Sequence, residues 1–133
     1  MKKTINIALK TLILTIILAM LISSPILANG SADGIEVSPN VINLDSKGGS
    51  FSIHTNIPFS IVQDVSLSAD GNIIPISATF ADDRGDLVVK FNPRNEDGGY
   101  LISVGDVTFE LTVSSYSGLT TYYDIVRVIS CGK

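Results

Sequence analysis

The chain has 133 residues, 45% of them hydrophobic, with 9 basic and 13 acidic side chains, a formal charge of −4 and a single cysteine. That length accommodates one domain of ordinary size, and one cysteine excludes a disulfide within the chain. The charge is divided: Lys2, Lys3 and Lys10 stand at the N-terminus while every acidic residue follows Ala32, so the remainder carries six basic against thirteen acidic groups, a formal −7. Such a domain repels a phosphate backbone, and Lys47, Arg84, Lys90, Arg94, Arg127 and Lys133 form no run in the sequence, which argues against nucleic acid as a partner.

Residues 1–28 read as a secretory signal peptide. Lysines open it, and Thr11 to Ile22 is an uncharged, largely apolar stretch of the length of a signal core. A membrane-spanning helix needs about 20 apolar residues, and here Ser23, Ser24 and Pro25 interrupt the run, so an uncleaved anchor is the lesser alternative. Ala28 supplies a small residue for cleavage, and a cut after Ala32, preceded by Gly30, is the alternative. No cysteine follows either position, which excludes a bacterial lipoprotein. The expected product is secreted or held at the cell surface, in the extracellular or periplasmic space, and meets the membrane only transiently through its leader.

Residues 29–34 read as a linker, 35–130 as the folded domain and 131–133 as a tail. Within the domain, turn signals recur at intervals of about 10 residues, the spacing of a sandwich or barrel. They are Lys47-Gly48-Gly49, Asp70-Gly71-Asn72, Asp82 to Gly85, Asn95 to Gly99, Gly105-Asp106 and Ser117-Gly118. Between them the spacing predicts strands over residues 35–37, 41–44, 50–56, 60–68, 73–80, 87–92, 107–115 and 121–129. Side chains alternate in these segments: Phe51 and Ile53 oppose Ser52 and His54, and Leu87, Val89 and Phe91 oppose Val88 and Lys90. Val107, Phe109, Leu111 and Val113 oppose four polar residues, as in a strand with one dry face. The last strand is apolar on both sides near its end, which predicts a covered outer face at Ile125 and Ile129. Pro39, Pro58, Pro75 and Pro93 are expected at or near strand ends, where a missing amide costs the ladder little. The fold class is therefore all-β, an Ig-like antiparallel β-sandwich of seven or eight strands.

Ser38-Pro39-Asn40-Val41-Ile42-Asn43-Leu44, Ser46-Lys47-Gly48-Gly49, Gly85 to Phe91, Gly105 to Val113 and Asp124 to Ile129 together resemble an Ig-like accessory module of secreted bacterial and archaeal multidomain proteins. The resemblance implies a non-catalytic spacer or protein-interaction domain. It also implies an aspartate-rich loop ahead of the Asp86 to Phe91 strand, here shortened and interrupted by Arg84.

Asp82, Asp83 and Asp86 are the candidate metal ligands, because clustered carboxylates suit Ca²⁺, although a solvated hairpin turn in which Asp83 and Gly85 serve backbone geometry is the favoured reading of the same residues. Tyr122 and Tyr123, with Tyr100 and Tyr116, are candidates for stacking against a sugar ring, and the alternative for each is a structural corner with its hydroxyl tied to backbone. His54, the only histidine, is expected on a polar strand face, with no nucleophile signature beside it. Cys131 is a free thiol or a partner in an intermolecular disulfide. The expected function is thus a secreted, non-catalytic spacer or interaction module whose partner is a protein or a surface glycan. A carbohydrate- or calcium-binding module is the alternative.

A charge in the middle of the leader's apolar stretch opposes its insertion. Ile17→Arg is expected to leave the uncleaved chain inside the cell while the unmodified protein is recovered outside the cytoplasm at lower mass, as fractionation and mass spectrometry will read.

Overall fold

A computed structural model describes residues 34–48 and 50–132. The signal segment 1–28, both cleavage positions, most of the linker, Gly49 and Lys133 lie outside the described residues. Nine strands follow one another: β1 (Ile35–Ser38), β2 (Val41–Asn43), β3 (Phe51–Pro58), β4 (Val62–Ala69), β5 (Asn72–Ile73), β6 (Ile76–Ala81), β7 (Asp86–Phe91), β8 (Gly105–Ser115) and β9 (Gly118–Ile129), with one 3₁₀ turn at Phe59–Ile61. Among the described residues no helix is long and apolar enough to cross a membrane.

The strands form a four-stranded sheet in the order β1-β3-β7-β6 and a five-stranded sheet in the order β2-β9-β8-β4-β5. Their apolar faces meet in one core, to which Val37, Ile53, Leu87, Val89 and Phe91 come from the first sheet and Ile42, Leu67, Val107, Phe109, Leu111, Val126 and Val128 from the second. Phe91 and Phe109 make the aromatic contact between the sheets, ring centres 5.3 Å apart and tilted by 51°, and Phe51 extends the cluster to Phe91 at 5.7 Å. Tilted rings at this separation match the quadrupole preference of aromatic pairs.

Prolines mark most of the places where the chain changes sheet. Ser38-Pro39-Asn40 carries it from β1 to β2, with a cis peptide before Pro39, and Ile74-Pro75 carries it from β5 to β6. A proline has no amide for the ladder, so pairing ends where it stands. Two expectations change here. The strand expected over 73–80 is two strands in different sheets, which raises the count to nine, and β2 runs parallel to β9, through the pairs Val41 with Arg127 and Asn43 with Ile129, so the arrangement is mixed rather than wholly antiparallel.

Tight turns set the registers. Asp70 and Gly71 have φ of 47° and 84°, the left-handed pair a two-residue hairpin demands, and join Ala69 to Asn72. Tyr116 and Ser117 join Ser115 to Gly118, so β8 and β9 stay paired without a shift along their length. The last strand therefore begins at Gly118 rather than 121.

The alternation expected for β8 is met at Val107, Phe109, Leu111 and Val113, all buried. Val88 departs from it: on the outer side of β7 it is only 2% exposed. Its register neighbours His54 on β3 and Phe80 on β6 flank it on that face, which closes over it. Ile125 departs the other way, being 69% exposed, because β2 is too short to reach it and covers only the end of β9, where Ile129 is half-buried.

The free edge of β1 is not left open. Asp124 on β9 points inward and its Oδ2 accepts the Val37 amide at 2.9 Å. Inside β3, the buried Thr55 hydroxyl donates to the Leu87 carbonyl at 2.8 Å and accepts the Ile57 amide at 3.1 Å, satisfying the backbone where the β3–β7 ladder shifts register.

Phe109 is completely buried between the sheets. Phe109→Ala is expected to cost about 3–5 kcal/mol of unfolding free energy, whereas Ile125→Ala is expected to change it by less than about 0.5 kcal/mol. Urea denaturation of the two variants reads the difference.

Candidate functional site

Asp82, Asp83 and Asp86 occupy the connection from β6 to β7. Asp82 closes the turn: its Oδ1 accepts the amides of Arg84 at 2.8 Å and Asp86 at 3.0 Å, while its own amide donates to the Asp86 carbonyl at 2.9 Å. Gly85 stands at φ 87° and donates to the Asp82 carbonyl at 2.9 Å. The Arg84 guanidinium lies 3.4 Å from Asp82 Oδ2 and 3.6 Å from Asp86 Oδ2. The cation between these carboxylates is thus a side chain of the loop itself, and Asp83 stands exposed outside the pair. Among the described residues, no three His, Cys, Asp or Glu side chains are grouped to hold a metal ion. The Asp86 amide bond holds the Asp82 pKa below its ordinary 3.8, aided by the amide and guanidinium of Arg84 against partial desolvation.

Tyr122 and Tyr123 are adjacent on β9 and so project to opposite faces of the sheet. Tyr122 packs against the core, with Gly34 so close that a Cβ on Gly34 would lie 3.0 Å from the tyrosine ring. Tyr123 faces solvent on the outer side. Tyr116 is exposed at the β8–β9 turn, and Tyr100 serves as a corner: its hydroxyl donates to the Leu44 carbonyl and accepts from Arg94 Nη2, with the guanidinium carbon 4.6 Å above its ring. The four tyrosines do not share a platform.

His54 lies on the open outer face of β3, its Nε2 3.2 Å from the Ser52 hydroxyl. The two are neighbours on one strand face, with Glu36 directly across on β1. Cys131 is exposed; its amide donates to the Asp45 carboxylate and its Sγ accepts from Asn43 Nδ2 at 3.7 Å.

The structure also assembles a site that the sequence does not announce. The β2–β3 connection, the first residues of β3 and β6 and the end of β7 surround a cleft of about 510 Å³, within the size range of ligand sites. Lys47, Lys90 and Arg94 line it, together with the half-buried ring of Phe51. Lys47 is far in the chain from Lys90 and Arg94. They meet because Phe51 pairs with Phe91, which brings the start of β3 beside the end of β7, and because Arg94 Nη2 reaches the Ser46 carbonyl at 3.4 Å. Only the strand register could have revealed the cluster.

Comparison with known proteins finds no matching family model, no matching curated protein and no matching solved structure.

Because the folded-state pKa of Asp82 is depressed, its stabilising effect is full above the unfolded pKa and is lost as pH falls through the folded value. NMR titration is expected to place the Asp82 carboxyl below 3.8, and Asp82→Asn is expected to remove this residue's part of the acid-side loss of stability.

Proposed function

We propose that the chain is an exported, non-catalytic Ig-like module that holds a partner protein through the outer face of its five-stranded sheet. The Ig-like reading is supported by strand order. Assigning β1, β3, β7 and β6 to strands A, B, E and D, and β4, β8 and β9 to C, F and G, reproduces the two sheets of an Ig-type sandwich, with β5 as an added edge strand beside C and β2 beside G. Export is supported by the N-terminal lysines and the apolar stretch that follows them.

The observation that carries the interaction reading is the row on β9. Leu119, Tyr123 and Ile125 share its outer face and are 74%, 45% and 69% exposed, with Val41 of β2 alongside at 42%. Exposed apolar residues scattered singly are ordinary, whereas several on one strand face, with Tyr123 and Ile125 adjacent and Thr121 between them and Leu119, favour a contact surface. Polar side chains border it: Thr108 faces Ile125, Glu110 faces Tyr123, and Arg127 pairs with Asp106 at 2.9 Å. An apolar strip with a polar rim is the anatomy of a protein interface. The non-catalytic reading is supported by His54, which stands with Ser52 on an open strand face rather than in a cleft that would orient a substrate.

A photo-crosslinking residue at position 125 of the full chain, expressed in its own host, is expected to give one discrete protein adduct that disappears when Leu119→Asp is added. The same residue at position 78, on the outer face of the other sheet, is expected to give none. Equal adducts at both positions, or none at 125, would remove the interaction face.

A further inference from the structure

The geometry points to a second binding site: the cleft between the β2–β3 connection and the end of β7 receives a carboxylated sugar ring, a hexuronate or a chain of them. The inference does not depend on the β9 face, which belongs to the other sheet.

Charge is the first argument. Five basic residues are described, and the three ion pairs among the described residues use only two of them, Arg84 with Asp82 and Asp86, and Arg127 with Asp106. The other three are those that line the cleft. Arg94 is held by neutral groups, the Ser46 carbonyl and the Tyr100 hydroxyl and ring, so its position is fixed while its charge is left uncompensated. The Lys90 ammonium lies 5.4 Å from the centre of the Phe80 ring, again a neutral partner. Lys47 has no carboxylate within ion-pair distance among the described residues. The one acidic side chain on the cleft wall, Asp45, directs its Oδ2 to the Ser130 hydroxyl at 3.1 Å and the Cys131 amide. A domain with an excess of acidic groups thus keeps three cations against one carboxylate around one concavity, and such a pocket concentrates anions.

The remaining lining selects among anions. Ser50, Ser77 and Asn92 offer short donors and acceptors suited to vicinal hydroxyls, and Phe51 offers an aromatic surface for the apolar face of a pyranose ring. Inorganic phosphate uses the charge but neither the ring surface nor most of the hydroxyl partners. A neutral hexose uses those but not the charge. A hexuronate uses all three, its carboxylate meeting the positive charge that Lys47, Lys90 and Arg94 bring to the lining.

The test uses the protein as recovered from the producing cell, whether or not the leader has been removed, followed by amide-resolved NMR. Sodium glucuronate and a galacturonate oligomer are expected to shift the amides of Ser50, Phe51, Lys90 and Asn92. Binding is expected to exceed that of glucose and of inorganic phosphate and to weaken as salt is raised. Lys47→Glu and Lys90→Glu are each expected to weaken it about tenfold or more, the effect of losing one charge-assisted contact. Arg127→Ala, outside the cleft, is expected to leave it unchanged, and a native strand spectrum for each variant shows that folding is intact. Shifts confined to residues outside the cleft, equal affinity for phosphate or glucose, or insensitivity to both lysine substitutions would overturn the assignment. None of these results bears on crosslinking at position 125, so the two sites fail separately.

Discussion

Two sheets of unequal width are held face to face mainly by apolar side chains, and the contact of Phe91 with Phe109 lies where they meet. With one cysteine, no internal disulfide assists this joint, and a domain of about 100 residues buries roughly two-thirds of its unfolded surface, enough for such a core to hold it. Everything functional hangs from that joint. Phe91 fixes β7 against the opposite sheet, and the pairing of Phe51 with Phe91 sets β3 beside it. The same register carries Lys90 and Arg94 to the rim of the cleft and leaves His54 and Val88 side by side on the outer face.

Much of this architecture is legible in the residues themselves. Alternation identifies β3, β7 and β8 and the inward set on each, because a half-buried strand writes its two faces directly into the chain. Asp70-Gly71 and Ser117-Gly118 mark hairpins for a local reason, since positive φ at such positions favours glycine and aspartate. What escapes is what depends on partners. The break at Ile74-Pro75 lies inside a continuous apolar pattern, and only the sheet assignment shows that Ile73 and Ile76 belong to different layers. Val88 and Ile125 have the same kind of local context, yet one is closed over by Phe80 and His54 and the other is bare because β2 stops short of it.

The candidate sites divide along the same line. The aspartates of the β6–β7 loop are conspicuous in sequence, and their geometry is that of a turn locked by Asp82 and bridged by Arg84. Tyr122 and Tyr123 are conspicuous as a pair, and strand geometry alone separates them. The cationic cleft is inconspicuous because its charges come from two distant segments, and in a sequence so rich in acid after residue 32 a count of charges conceals them. Sequence gives the sum of the charges; register decides where they add.

Asp124 has a wider consequence than the single bond it makes. By accepting the Val37 amide from across the sandwich, its carboxylate occupies a backbone position that an unpaired sheet edge would otherwise offer to another chain. A charged side chain aimed inward at that register also makes docking of a foreign strand there electrostatically costly. The same residue that joins the two sheets along one margin therefore guards against fibrillar growth at β1, and the margin along β6, made of Ile76-Ser77-Ala78-Thr79-Phe80-Ala81 without a charge of its own, is where solubility rests on the flanking Pro75 and Asp82.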